Sequence, residues 1–129
     1  MKNKINLFII NKEYLEFMTK MGVKGIKDFK YGIITNIDNT MYFIPIDLTK
    51  NFNDKNILNN LQFDSMLPIE NSKHFVIEQD IKNCLNAADK NTKEFHNLIK
   101  LKELLEIWNE NINLICKASE DAYWNIVNN

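Results

Sequence analysis

The chain has 129 residues, 45% of them hydrophobic, and a formal net charge of −1, enough to close one core over residues 1–129 and too little for a second independent domain. No apolar run reaches the roughly eighteen residues of a membrane-spanning helix, and Ile5 to Ile10 is too short for a secretory signal, which predicts a soluble, cytoplasmic protein. Cys84 and Cys116 stand far apart with no zinc spacing, and are expected to be reduced and mostly buried thiols.

All the basic residues are lysines, and asparagine is heavily used, a combination that reads as A+T-rich coding. Without arginine, any anion must be met by lysine point charges or backbone amides. Residues 1–30 carry seven lysines against Glu13, Glu16 and Asp28, a balance of +4, while the rest carries nine lysines against fourteen acids, −5. A basic N-terminal part permits a phosphate or nucleic-acid surface and is equally compatible with plain solvated charge.

Ile5 to Ile10 reads as a strand, and Asn11 as the cap of a helix to about Lys20 that turns Tyr14, Leu15, Phe17 and Met18 inward. Met21 to Lys30, with Gly22, Gly25, Lys24, Lys27 and Lys30, reads as a cationic loop. YGIITNIDNTMYFIPIDLTK, Tyr31 to Lys50, is a β-hairpin turning at Asp38-Asn39, two residue types that tolerate left-handed backbone. Pro45 places the second strand at an edge or ends it there, so Asp47-Leu48-Thr49-Lys50 lies where the chain leaves the sheet. Asn51 to Asn56 is turn-like, Ile57 to Leu61 a short helix, and Phe63 to Ile69 and His74 to Glu78 are strands that complete a sheet of about five.

From Thr92, its N-cap, a long helix is written by Phe95, Leu98, Ile99, Leu101, Leu105, Trp108, Ile112 and Ile115 at steps of three and four. A final helix follows from Ser119, as cap, to Val127, with Tyr123, Trp124 and Val127 as anchors. The plan is an α+β domain with a twisted antiparallel sheet and late helices. Both tryptophans, at helical spacing, are read first as core.

His74 and His96 stand alone, with no paired ligand spacing, and the isolated glycines lack a phosphate-cradling context. Counting back from the turn sets Ile37 opposite Thr40, Tyr31 opposite Ile46 and Lys30 opposite Asp47. Lys30 and Asp47 form a cross-strand ion pair in the plain reading. In the functional one, Lys24, Lys27, Lys30 and Tyr31 join Thr49 and Lys50 around a phosphodiester, where ammonium groups meet the charge that grows in the transition state. Such a set suits RNA cleavage by the adjacent ribose 2′-hydroxyl. His74 is a candidate proton shuttle, weighed against a packed strand histidine.

INLFIINKEYLEF, YGIITNIDNTMYFIPI, LQFDSMLPI and KLKELLEIWNENINLICK together resemble the type III toxin–antitoxin endoribonucleases, the ToxN/AbiQ family. The resemblance implies a compact domain with a twisted antiparallel sheet and metal-independent RNA cleavage that leaves 2′,3′-cyclic phosphate, without a cofactor. It also implies a repeated, folded RNA antitoxin, a possible protein–RNA oligomer and a role in phage defence. The family's Thr-Ser-x-Lys-like stretch falls on Asp47-Leu48-Thr49-Lys50: Lys50 aligns, while the hydroxyl position meets Leu48, or Thr49 after a one-residue shift. The implied roles are catalysis for Thr49, Lys50 and Lys30, and RNA binding for Lys24, Lys27, Tyr31 and Asp47. Two other readings are a catalytically silent RNA-binding module on the same fold and a protein-interaction domain using the late helices.

Overall fold

The hairpin is the centre of the molecule. In the computed structural model, which describes residues 4–22, 29–69 and 76–128, Tyr31–Ile37 (β2) and Thr40–Pro45 (β3) pair from Gly32 opposite Pro45 to Ile37 opposite Thr40. Asp38 and Asn39 both have positive φ, 52° and 66°, as a two-residue turn matching the strand twist requires. Leu7–Ile10 (β1) pairs antiparallel with β2 on one side, and Leu67–Pro68 (β4) pairs with β3 on the other. Val76–Gln79 (β5) adds to the free edge of β1, giving the antiparallel order β4-β3-β2-β1-β5. The architecture is α+β.

Alternation along the strands divides the core into two layers, since successive side chains point to opposite faces. Leu7, Tyr31, Ile33, Ile44 and Ile46 join Leu98, Leu101, Leu104, Leu105 and Trp108 of Lys93–Glu110 (α3) and Ile115 of Ile112–Asn128 (α4). On the opposite face Ile10, Phe43, Leu67, Ile69 and Val76 pack with Leu15 of Lys12–Lys20 (α1). Asn11 caps α1 by accepting from Glu13 N, and Thr92 caps α3 by accepting from Phe95 N, as the sequence predicts. A further helix, Ile81–Ala87 (α2), which contains Cys84, starts at Asp80, whose carboxylate accepts from the amides of Lys82 and Asn83.

Several elements differ from expectation. Ile57 to Leu61 forms successive turns, and Phe63 to Ile69 contains a 3₁₀ turn, Phe63–Ser65, before the two residues of β4. Of the strand expected from His74, Val76–Gln79 is described, and His74 itself lies outside the described residues. The long helix breaks at Asn111, where the side chain donates to Ile107 O at 2.8 Å and the backbone N–H to Trp108 O at 3.0 Å. Ser119 sits buried inside α4, its hydroxyl donating to Ile115 O, and caps nothing. Trp108 is fully buried while Trp124 is 48% exposed, and Cys116 is exposed rather than buried. Periodicity names a face but not its cover, and the end of α4 extends past what the sheet covers.

Pro45 ends β3 as predicted, though β3 lies inside the sheet. Beyond β4 its open side is taken by an incoming strand-like segment: Gln62 N donates to Pro45 O at 2.9 Å, and Ile46 bridges Leu61. No helix among the described residues is long and apolar enough to cross a membrane.

Candidate functional site at the open end of the hairpin

The two ends of the hairpin meet as the register requires, with Ile46 N donating to Tyr31 O at 2.8 Å. Just before β2, Lys30 is exposed, and its ammonium lies 5.2 Å from the centroid of the Tyr31 ring. Tyr31 itself is buried beneath the first turn of α3, where its hydroxyl donates to the Glu94 carboxylate. Lys30 Nζ stands 3.5 Å from the same Glu94 oxygen. Burial first, then the Glu94 hydrogen bond and charge, push the Tyr31 phenol well above its ordinary range. Its hydroxyl therefore stays a proton donor at neutral pH.

The cross-strand ion pair between Lys30 and Asp47 does not form: Lys30 turns to Glu94. Asp47 instead folds back on its own loop and accepts from Thr49 N at 2.9 Å and Thr49 Oγ1 at 2.6 Å, an Asx turn closed by a second bond from the hydroxyl. Leu48 packs against the α3 side of the core, which leaves Thr49 and Lys50 exposed. Among the described residues Lys50 has no ion-pair partner.

Two side chains from elsewhere hold this loop. Asn60, fully buried, donates through Nδ2 to Asp47 O at 3.0 Å and Lys50 O at 2.8 Å, and its own carbonyl accepts from Asp47 N. Lys100, two turns into α3, donates through Nζ to Leu48 O and Lys50 O, both at 2.8 Å. Farther along, Asn59 Nδ2 reaches Asn51 O, and Trp108 Nε1 donates to Ile57 O at 2.8 Å.

Of the residues singled out in the sequence, Lys30 and Tyr31 meet at Glu94, and Asp47, Thr49 and Lys50 share one braced loop. Lys24 and Lys27 lie outside the described residues. Glu94, Asn60 and Lys100 were not anticipated. Glu94 reads as an ordinary first-turn acid suited to the helix dipole, and nothing local to Asn60 or Lys100 announces a partner 10 to 52 residues away. Among the described residues no three His, Cys, Asp or Glu side chains gather as metal ligands do.

No protein-family model matches the chain, and no curated protein matches its sequence. A solved structure is similar: that of a bacterial type III toxin–antitoxin system, in which a non-coding RNA pseudoknot selectively inhibits the toxin. The TM-score is 0.64 at 18% identity, over 94% of this chain and 79% of that one. At that identity the two chains share a fold, and the fold is one used by a toxin of this class.

Proposed function

We propose that the chain is a single-domain endoribonuclease toxin of the type III kind, held inactive by a folded RNA antitoxin and acting in the cytoplasm in defence against phage. The observation that carries this reading is the open end of the hairpin. There, exposed Thr49 and Lys50 stand on a loop braced by α3, near a pair made of the buried Tyr31 hydroxyl and the partly exposed Glu94 carboxylate, flanked by Lys30. The shared fold supports an RNA partner.

In this reading the ribose 2′-oxygen attacks the adjacent phosphorus and the bond to the 5′-oxygen breaks. The 2′-oxygen loses a proton, the 5′-oxygen gains one, and a 2′,3′-cyclic phosphate remains. The reaction needs no metal or cofactor. Lys50 and Lys30 offset the charge that builds on the phosphoryl oxygens. Thr49 gives its own proton to Asp47, so its oxygen presents lone pairs and is set to orient the attacking 2′-hydroxyl. Lys24 and Lys27 bind or orient RNA, Asp47 acts through Thr49, and Tyr31, buried with its hydroxyl given to Glu94, supports the site from beneath instead of meeting RNA as the sequence suggested.

The test is expression under tight repression, with cellular RNA examined for 2′,3′-cyclic phosphate ends beside a Lys50→Ala control. Cleavage that falls by about a hundredfold or more in the folded control supports the assignment. Full cleavage by a folded Lys50→Ala protein removes Lys50 from the reaction. A second reading, an RNA-binding module without cleavage, is favoured by Leu48, which fills the hydroxyl position with a packed side chain. It predicts co-purifying RNA released by salt and intact RNA with both proteins.

A further inference from the structure

The loop that carries Thr49 and Lys50 has turns but no helix or strand from Asp47 to Asn56, so carbonyls such as Leu48 O and Lys50 O take their partners from outside any ladder. The ammonium of Lys100 supplies two of these bonds, to Leu48 O and Lys50 O, at the distance of strong charge-assisted hydrogen bonds. Both acceptors are neutral, and no carboxylate among the described residues pairs with Lys100. Solubility or simple ion pairing therefore does not account for where this cation sits. Its neighbours along α3, Leu98 and Leu101, are buried in the core, and α3 is further anchored through fully buried Trp108. The opposite side of the same loop is held by Asn60, which spends both bonds of its amide nitrogen on Asp47 O and Lys50 O and, among the described residues, leaves its own Oδ1 without a hydrogen-bond partner. Lys50 O thus accepts from both braces, one from the helix and one from the following turns. A loop gripped on both sides has its exposed side chains aimed before any ligand arrives.

We propose that Lys100 is a positioning residue for the Thr49–Lys50 loop, a role that rests on the cleavage reading above. It touches no reacting atom: it fixes the backbone from which Thr49 and Lys50 project. Because misplacement of a catalytic group by about 1 Å costs on the order of a hundredfold in rate, the effect of losing the brace falls on turnover rather than on RNA binding. Asn60 supports the same backbone from within the core.

The experiment compares the full chain with Lys100→Met, which keeps length and helix propensity, and with Lys100→Arg, on a mixed-sequence single-stranded RNA. Kinetics are joined to RNA binding at several salt concentrations and to amide hydrogen exchange at Thr49, Lys50 and Asn51. Lys100→Met is expected to lower kcat by about a hundredfold with KM nearly unchanged, to speed exchange at those amides, and to leave the salt dependence of binding as it was. Lys100→Arg is expected to recover most of the turnover. Unchanged kcat and unchanged exchange in Lys100→Met overturn the proposal. So does a salt slope reduced by about 0.7, the mark of one lost phosphate contact on a single strand, which makes Lys100 a binding residue. Exchange that rises in Lys100→Met while the unaltered protein cleaves no RNA overturns the cleavage reading, and with it the role in turnover, yet upholds the brace on the loop.

Discussion

The hairpin and the segment that follows it are adjacent in sequence and held by different means. Between Tyr31 and Pro45 the chain holds itself: β-branched and aromatic residues alternate, the two-residue turn fixes the register, and the ladder uses the backbone groups. Between Asp47 and Gln62 there are only scattered backbone bonds, such as Asp47 N to Asn60 O and Asn59 N to Asn56 O, and side chains supply much of the rest. Asp47, Asn53 and Asn56 each accept from an amide two residues on, Asn59 and Asn60 reach back to the loop, and Lys100 and Trp108 close it from α3. Asparagines that read as a coding bias are thus structural here, because a short amide side chain substitutes for a missing ladder partner. The irregular segment carries the exposed Thr49 and Lys50, while the regular one supplies a fixed base for them.

Gly32→Ala is the most direct way to break the hairpin. A Cβ there falls 2.4 Å from Phe43 Cζ and 2.6 Å from Ile44 O, and the backbone oxygen has no room to yield. A loss of about 3 kcal/mol is expected in urea unfolding; a loss below about 1 kcal/mol means that the strands can separate locally to admit a methyl group.

Asn60→Ala attacks the other region. It removes two donors from carbonyls of the braced loop, with an expected cost of about 2 kcal/mol. Amide exchange should accelerate across residues 47–51 and stay unchanged in β2 and β3, whereas uniform acceleration would mean that the two regions unfold as one.

Alkaline pH probes the junction between them. The folded-state pKa of Tyr31 is raised above its ordinary value of 10.0 by burial and by Glu94, so the folded protein holds that proton more tightly than the unfolded chain does. The stability this confers is fully present below pH 10 and declines as pH rises beyond it. Tyr31→Phe should flatten that alkaline decline; an identical decline in the variant would assign it to other groups.

The smallest effect has the opposite sign. Asn39 already occupies φ 66° at the turn, where glycine carries no steric penalty, so Asn39→Gly should stabilise the hairpin by about 0.5 kcal/mol in thermal unfolding. A destabilised variant would show that the asparagine side chain contributes more than its backbone preference.

Much of this was legible along the chain because the signals are local. The Asp38-Asn39 turn, the caps at Asn11 and Thr92 and the pairing of Tyr31 with Ile46 each depend on residues within a few positions of one another, or on simple counting outward from the turn. The break at Asn111 was not legible, because Trp108, Ile112 and Ile115 keep apolar spacing straight through it. Ser119 looked like a cap because a serine before two acids is a good one, yet inside α4 its hydroxyl bonds to the preceding turn. For the candidate site the sequence named Lys30, Tyr31, Asp47, Thr49 and Lys50 but not the groups that hold them.

The sequence by itself determined the hairpin, its register and the exit of Asp47 to Lys50 from the sheet, since alternation, turn chemistry and proline geometry act over a few residues. Only the tertiary structure decided that Lys30 turns to Glu94 instead of Asp47, that Tyr31 is buried, and that Asn60 and Lys100 grip the loop. Those contacts join residues 10 to 64 positions apart. They follow from packing α3 and, for Asn60, the turns after the loop against the open end of the hairpin, which no local pattern records.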